Sequence, residues 1–308
     1  MHIEQFEYVI EIAKRGNISK AADKLHVSHS AVSQAISNLE SELGIPIFIR
    51  SRSGTTFTDK GEAVLKLSNE ILNKIKELKE LGHHSKDIPG SLAISASAIF
   101  FSTFLPETLK TFKLEYPHIQ IEIDSNTLDP VIEKVKSFQT DIGLILGTDE
   151  ILKEVSHFAN ARIIYSIKLM VAVSKNSPLA KMDVITPKEL LKYPLVIRNE
   201  RPPRKTWDKI FSLYGQGNVL FYTNNDEVMK NVIANDLAIC FFTDLMKKDP
   251  LVLRGDISLI PYFDPIEMPN YHLICIQAKN KYSSIVEKDF ILHLMKSLES
   301  YKAEIQDL

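Results

Sequence analysis

Residues 18–44, ISKAADKLHVSHSAVSQAISNLESELG, narrow the possible folds of this chain more than any other stretch. At helical spacing Ile18, Ala21, Ala22 and Leu25 form one apolar stripe, and Val32, Ile36, Leu39 and Leu43 form a second. Only His26, Val27 and Ser28 separate the two, which leaves room for a tight turn and nothing longer. Ala21 and Ala22 sit where the helices would cross, and small side chains suit a close crossing. The pattern predicts a helix-turn-helix.

The outer face of the second helix bears on function. Ser30, Ser33, Gln34 and Ser37 share the side opposite the apolar stripe, with Ser28 and His29 just before them, and no acidic residue lies between Leu25 and Leu39. Short hydroxyls allow close approach to a duplex. A glutamine can bond an adenine edge bidentately, worth roughly 1–3 kcal/mol of base discrimination. Such a helix suits the major groove, N-terminus first. An ordinary amphipathic hairpin with a solvated serine-rich face is the alternative reading of the same residues.

Charge does not decide between them. The net charge is −2, and within residues 1–60 seven basic residues (Lys14, Arg15, Lys20, Lys24, Arg50, Arg52, Lys60) balance seven acidic ones (Glu4, Glu7, Glu11, Asp23, Glu40, Glu42, Asp59). Duplex binding by this end requires the acids to point away from the groove, with salt-sensitive affinity. The 308 residues suggest two domains, and 44% hydrophobic with 25% charged content is that of a globular protein. No apolar run approaches membrane-spanning length and no signal-peptide region opens the chain, so a cytoplasmic protein is expected. Cys240 and Cys275 provide neither a disulfide framework nor metal spacing, and the His83-His84 pair has no third ligand nearby; no metal and no cofactor are expected.

Taken in order, residues 3–14 read as a first helix with Phe6, Val9, Ile10 and Ala13 on one face, Gly16 ending it and Asn17 capping the next. Residues 46–57 read as two short strands around a polar turn, a wing whose Arg50 and Arg52 suit contact with phosphates or an adjacent minor groove, solvation alone being the alternative. Thr58 opens a helical pattern of nearly thirty residues, on the order of 40 Å. Val64, Leu67, Ile71, Ile75 and Leu78 form its apolar seam, and so long a helix with one seam calls for a second copy, the alternative being that it lies across its own C-terminal domain. Residues 82–90 break the periodicity as a linker.

From Ser91 onward short apolar runs alternate with helical stretches. Strands are expected at 92–97, 119–124, 141–146, 169–174, 195–198, 219–223, 237–242, 257–261 and 273–278. Helices are expected at 101–115, 130–138, 204–214, 227–234 and 283–301. The alternation predicts α/β architecture with mostly parallel sheets, in which ligands bind beyond the C-terminal strand ends. Those ends are polar, and Ser97 and Thr127 precede helices, where free amides favour an anion.

The run Phe6…Ala21-Ala22…Leu25-His26-Val27-Ser28…Ala31-Val32-Ser33…Ile36…Leu39-Glu40…Leu43-Gly44…Phe48…Arg50…Thr58…Gly61 resembles the N-terminal domain of LysR-type transcriptional regulators over about sixty continuous residues. More loosely, Pro89-Gly90-Ser91-Leu92 and Asp141-Ile142-Gly143-Leu144 are similar to segments of that family's two-lobed effector domain, which is like periplasmic solute-binding proteins. The resemblance implies a winged helix-turn-helix over 1–58, a linker and dimerisation helix with hinge over 59–90, and an effector domain over 91–308. Within the last, lobe I would comprise 91–162 and 268–302, and lobe II 163–267. It implies a homodimer or homotetramer on double-stranded promoter or operator DNA, with a small-molecule effector altering DNA binding or bending. By position, Ser28, His29, Ser30, Ser33, Gln34, Ser37, Arg50 and Arg52 become DNA contacts. Ser97, Ala98, Thr127, Gly147, Thr148, Arg198 and Asn224 become effector contacts, and Arg198 with the helix-start hydroxyls favours a carboxylate or other anion. Phe100, Phe101, Phe241 and Phe242 are candidates for an apolar side of the cleft.

The chain departs from the family at two places. Many members carry Arg where Gln34 stands, and a Gly-rich turn is replaced by Ala234-Asn235-Asp236-Leu237, where Asn235 tolerates a left-handed backbone. Two other functions compete: a small-molecule sensor whose N-terminal helices only dimerise it, and an enzyme with an α/β cleft. Against the enzyme, the sequence has no nucleotide-binding glycine motif, no HExxH and no G-x-S-x-G turn.

Overall fold

A computed structural model describes residues 1–51, 54–80, 90–265, 268–279 and 281–306. The N-terminal unit opens with α1 (Ile3–Arg15), α2 (Ile18–Leu25) and α3 (His29–Leu43). Each boundary has a local cause. Gly16 ends α1 at φ 65°, and Asn17 Oδ1 accepts from the Ser19 and Lys20 amides to start α2. His26 ends α2 in the left-handed region at φ 56°, and Ser28 Oγ accepts from the Ala31 amide to start α3. Phe6, Val9, Ile12, Ile18, Ala21, Ala22, Val32, Ile36 and Leu39 share one core. The face of α1 differs from expectation in using Ile12, with Ile10 and Ala13 only half-buried, and Leu43 is exposed. Gln5 crosses the unit: its Nε2 donates to the Ala35 carbonyl at 3.0 Å while its Oε1 accepts from the His2 amide at 2.7 Å.

The wing follows, with β1 (Phe48–Ser51) antiparallel to β2 (Gly54–Phe57) and Arg50 opposite Thr55. Thr55 N–H donates to the Gly16 carbonyl, fastening the wing to the turn after α1. Then comes α4 (Asp59–Glu80), 22 residues and so roughly 33 Å long. Thr58 Oγ1 accepts from the Gly61 amide at its start. The residues that the sequence pattern adds after Glu80, and His83 with His84, lie outside the described residues.

The C-terminal part is built on two main sheets and a smaller two-stranded one. From β3 (Gly90–Ala96) the chain passes through α5 (Ala98–Phe101), α6 (Leu105–Glu115), β4 (Ile119–Ser125), α7 (Leu128–Lys136), β5 (Ile142–Thr148), α8 (Asp149–Val155) and β6 (Ala159–Ile167). It crosses at Lys168 into a second lobe: β7 (Leu169–Ser174), α9 (Pro187–Leu190), β8 (Leu195–Ile197), α10 (Pro203–Tyr214), β9 (Val219–Tyr222), α11 (Asp226–Ala234), β10 (Cys240–Thr243), α12 (Pro250–Leu253) and β11 (Ile257–Pro261). It returns through β12 (Tyr271–Ala278) and ends in α13 (Ile285–Gln306). The first sheet has the order β4-β3-β5-β12-β6 and the second the order β10-β7-β11, with β8 and β9 paired beside it.

Period-two alternation places both faces of the first sheet. Ile142 and Leu144 of β5, with Leu273 and Cys275 of β12, pack under α6 and α13. Ile145, Ile274 and Ile276 point the other way, under α7 and α8. A Cβ on Gly143 would lie 2.7 Å from Ile276 Cγ1 and 2.8 Å from Val135 Cγ2, so the missing side chain is what lets α7 approach β5.

Three expectations are corrected. The sheets are mixed, not mostly parallel: β12 runs antiparallel to both β5 and β6, and β7 antiparallel to both neighbours. A strand returning from the second lobe enters from the opposite end, which reverses its direction. Strand β6 went unread because Arg162, exposed Ile163 and Ser166 spoil its alternation at a sheet edge. In the 234–237 turn the left-handed residue is Asp236, at φ 59°, and not Asn235. No helix among the described residues is long and apolar enough to cross a membrane.

Candidate DNA-reading helix and interlobe cleft

The α3 face opposite the core is open. Ser28, His29, Ser30, Gln34 and Ser37 are exposed, with Ser33 half-buried. Exposed Asn38 joins them and was missed in the sequence, although it stands one turn after Gln34. Gln34 Nε2 donates to Asn38 Oδ1 at 2.8 Å, and Ser28 Oγ lies 3.0 Å from Ser30 Oγ. One Gln34 N–H is thereby committed. Its second N–H and its Oε1 stay available, the donor and acceptor that an adenine edge requires. The acids at the far end of α3 are occupied elsewhere. Glu40 Oε1 accepts from the Ile47 and Phe48 amides at 2.7 and 3.1 Å, and Glu42 pairs with the N-terminal ammonium at 2.7 Å. Arg50 stands in β1, while Arg52 lies outside the described residues.

Helix α4 has two apolar faces where one seam was expected. Val64 is 8% exposed and belongs to the N-terminal core, with Leu65 and Leu72 packed against it. Val64 is therefore corrected from an interface residue to a core residue. Leu67, Ile71 and Leu78 are exposed to 55, 39 and 69%, and Ile75 is half-buried. The cause is helical phase: positions 64, 68 and 72 face α1, and positions 67, 71 and 78 turn away from it.

Between the two lobes lies a cleft lined on one side by Ser97, Ala98, Leu128 and Leu146 and on the other by Arg198, Glu200, Trp207, Asp226, Phe241 and Phe242. Of the expected effector residues, Ser97, Ala98 and Arg198 stand here. The other four do not. Gly147 is a packing glycine, since a Cβ there would lie 2.9 Å from Ile274 Cδ1 and 3.0 Å from Ile151 Cγ2. Thr148 is buried and faces a separate pocket beside Pro202 and Lys205. Asn224 is exposed and accepts from the Asn199 amide, and Thr127 precedes α7 without lining the cleft. Phe241 and Phe242 line the cleft, whereas Phe100 is fully buried in the first lobe and Phe101 packs against that core.

Arg198 does not present a free charge. Its guanidinium pairs with Asp226 and lies 5.4 Å from the centre of the Phe242 ring. The lips are joined by further ion pairs: Arg201 with Asp129 and with Glu154, and Lys205 with Glu150. Burial holds the Glu200 carboxyl above the usual carboxylate range. Asp226 and Asp129 push the same way, against the attraction of Arg198 and a bond from the Leu128 amide.

At the junction of the lobes His272 is buried, with Nε2 3.0 Å from Asp149 Oδ1 and Nδ1 3.0 Å from Ser166 Oγ. The bonds from Asn270 and His272 hold Asp149 below its ordinary range. This line of groups fastens β6 and the start of α8 to β12. Cys240 and Cys275 are both fully buried, and burial pushes the Cys275 thiol up to about 12. No metal-binding cluster occurs among the described residues.

Comparison with known proteins bears on the whole chain. Residues 3–62 match the bacterial regulatory helix-turn-helix protein, lysR family, and residues 85–298 match the LysR substrate binding domain. The chain is 25% identical over 324 residues to YcgK of Bacillus subtilis (strain 168), an uncharacterized HTH-type transcriptional regulator, covering 97% of this chain and 95% of that protein. It is also 25% identical over 295 residues to CmpR of Synechocystis sp., an HTH-type transcriptional activator, covering 95 and 94%. A full-length OxyR variant from Pseudomonas aeruginosa shares the fold, with a TM-score of 0.72 and 18% identity over 96% of this chain and 94% of that one. These matches settle the choice among regulator, sensor and enzyme. The chain belongs to the LysR family of bacterial transcriptional regulators, joining a helix-turn-helix DNA-binding domain to an effector-binding domain, and is not an enzyme.

Proposed function

We propose that the protein acts in the cytoplasm as a homodimer or homotetramer that reads promoter or operator DNA with α3, and that a small molecule in the interlobe cleft alters that binding. The division of labour follows the domains expected from the sequence: residues 1–58 contact DNA, 59–90 carry dimerisation, and 91–308 take the effector. The observation that carries the reading is the exposed, acid-free face of α3, whose flanking carboxylates are held by the wing backbone and the N-terminal ammonium. Ser28, His29, Ser30, Ser33 and Ser37 are assigned to phosphate and base contacts, and Arg50 and Arg52 to phosphates. Gln34 reads a base, oriented by Asn38.

Selection from random duplexes followed by binding measurements tests this. Wild-type protein is expected to enrich a two-fold-related site. Gln34→Ala should relax preference at one base pair per half-site by roughly 1–3 kcal/mol. Asn38→Ala should relax the same position by a smaller amount, because it frees the Gln34 amide to rotate. Enrichment of no sequence by the wild type would dispose of the DNA-reading proposal, and unchanged preference in both variants would remove Gln34 from base contact.

A further inference from the structure

The ionic groups around the cleft are unevenly matched, and the surplus is acidic. Three cations line it, and each already has a carboxylate: Arg198 has Asp226, Arg201 has Asp129 and Glu154, and Lys230 has Glu227 and Asp249. Glu200 also lines the cleft, and among the described residues no cation lies in ion-pair contact with it. Asp226 Oδ1 is itself buried against the Arg198 guanidinium, so Asp226 is committed to that pair. The remaining walls are largely apolar, with Leu128, Leu146, Val196, Trp207 and Phe241, interrupted by the hydroxyls of Ser97, Thr103 and Thr243.

An anion entering here would have to displace Asp226 from Arg198 and would then face Glu200 at short range. Uncompensated charge of one sign in a desolvated site is costly. A cation meets the reverse situation, a carboxylate that is held by the Leu128 amide and is in no ion pair among the described residues. The apolar walls set the rest of the ligand's chemistry, since a bare ammonium ion would leave them unfilled.

We propose that the cleft takes a ligand that joins an apolar ring or chain to a protonated amine, with the amine against Glu200. This rests on the reading of the cleft as the effector site and replaces the anion suggested by Arg198 in the sequence. Burial, with Asp226 and Asp129 nearby, disfavours ionised Glu200; Arg198 and the Leu128 amide favour it. An arriving ammonium favours it further. Amine binding therefore strengthens as pH rises through the Glu200 pKa, and below that value the neutral carboxyl offers no charge to pair.

The test is thermal stabilisation of the full-length protein by matched compounds. The amines phenethylamine and tryptamine are compared with their alcohols (phenethyl alcohol and tryptophol) and with the carboxylates hydrocinnamate and indolepropionate. The amines are expected to raise the melting temperature, more at pH of about 7.5 than at about 5. Glu200→Gln, which keeps shape and removes charge, should weaken amine binding roughly tenfold to a hundredfold and abolish its pH dependence. Asp226→Asn frees Arg198 and should admit the carboxylates. Stabilisation of the wild type by carboxylates and not amines would overturn the amine assignment while leaving the cleft as the effector site. Silence in all three series would overturn the assignment and count against the cleft itself. Amine binding that survives Glu200→Gln at full strength, with that variant's own melting temperature unchanged, would also overturn it.

Discussion

Gly61→Ala is expected to abolish DNA binding by unfolding the N-terminal unit, although residue 61 lies outside α3. A Cβ at this position would stand 2.0 Å from the Ile47 carbonyl oxygen and 2.9 Å from its carbon. Both are backbone atoms of the segment that leads into the wing. That segment is itself pinned, since Glu40 accepts from the Ile47 and Phe48 amides and the Thr58 amide donates to the Ile47 carbonyl. With no flexible side chain to move aside, the start of α4 must shift away from the wing. Overpacking of a rigid site costs about 3 kcal/mol, at the upper end of the usual range. That is a large fraction of the stability of so small a unit. Chemical denaturation followed by circular dichroism should show early loss of helix, with DNA affinity lost in parallel. A variant within about 0.5 kcal/mol of wild type would show that α4 does not need this close approach.

The second large effect is expected on assembly. In the double variant Leu67→Asp with Ile71→Asp, two exposed apolar side chains on α4 become charged. Burial of each is worth roughly 1.5–3 kcal/mol, and a two-fold interface contains each twice, so the dimer should weaken on the order of ten-thousandfold or more. Sedimentation velocity would read this as conversion to monomer, with the helix content preserved. Val64→Asp is the control from the other face of the same helix: it should unfold the N-terminal core, because Val64 is 8% exposed and packed with that core. An unchanged oligomer in the Leu67 and Ile71 variant would move the interface elsewhere.

The two variants differ in how visible their basis is along the chain. The open face of α4 was legible as apolar spacing, but its division into a core face and a free face was not. Spacing of three and four residues marks an apolar side; it does not say whether α1 or a second copy covers it. The same holds for the cleft. Ser97, Ala98 and Arg198 were read from strand ends and do line it, whereas Gly147 and Thr148 share that position in the sequence yet serve packing and a neighbouring pocket. Glu200, Trp207 and Asp226 carried no signal beyond their composition, because each comes to line the cleft only when the second lobe folds against the first.

What the chain determined by itself is whatever depends on near neighbours. The caps at Asn17 and Ser28, the left-handed stop at Gly16, the three-residue turn and the apolar stripes of α2 and α3 all lie within a few residues of one another. Helix formation is controlled at that range, so α3 is recognisable from its own residues and their spacing. Only the tertiary structure decided the direction of β12, the burial of Val64 and the neutralisation of Arg198 by Asp226. Those outcomes join residues that are far apart in the chain or hidden by helical phase, and their energies arise from burial and charge pairing that exist only once the lobes have come together.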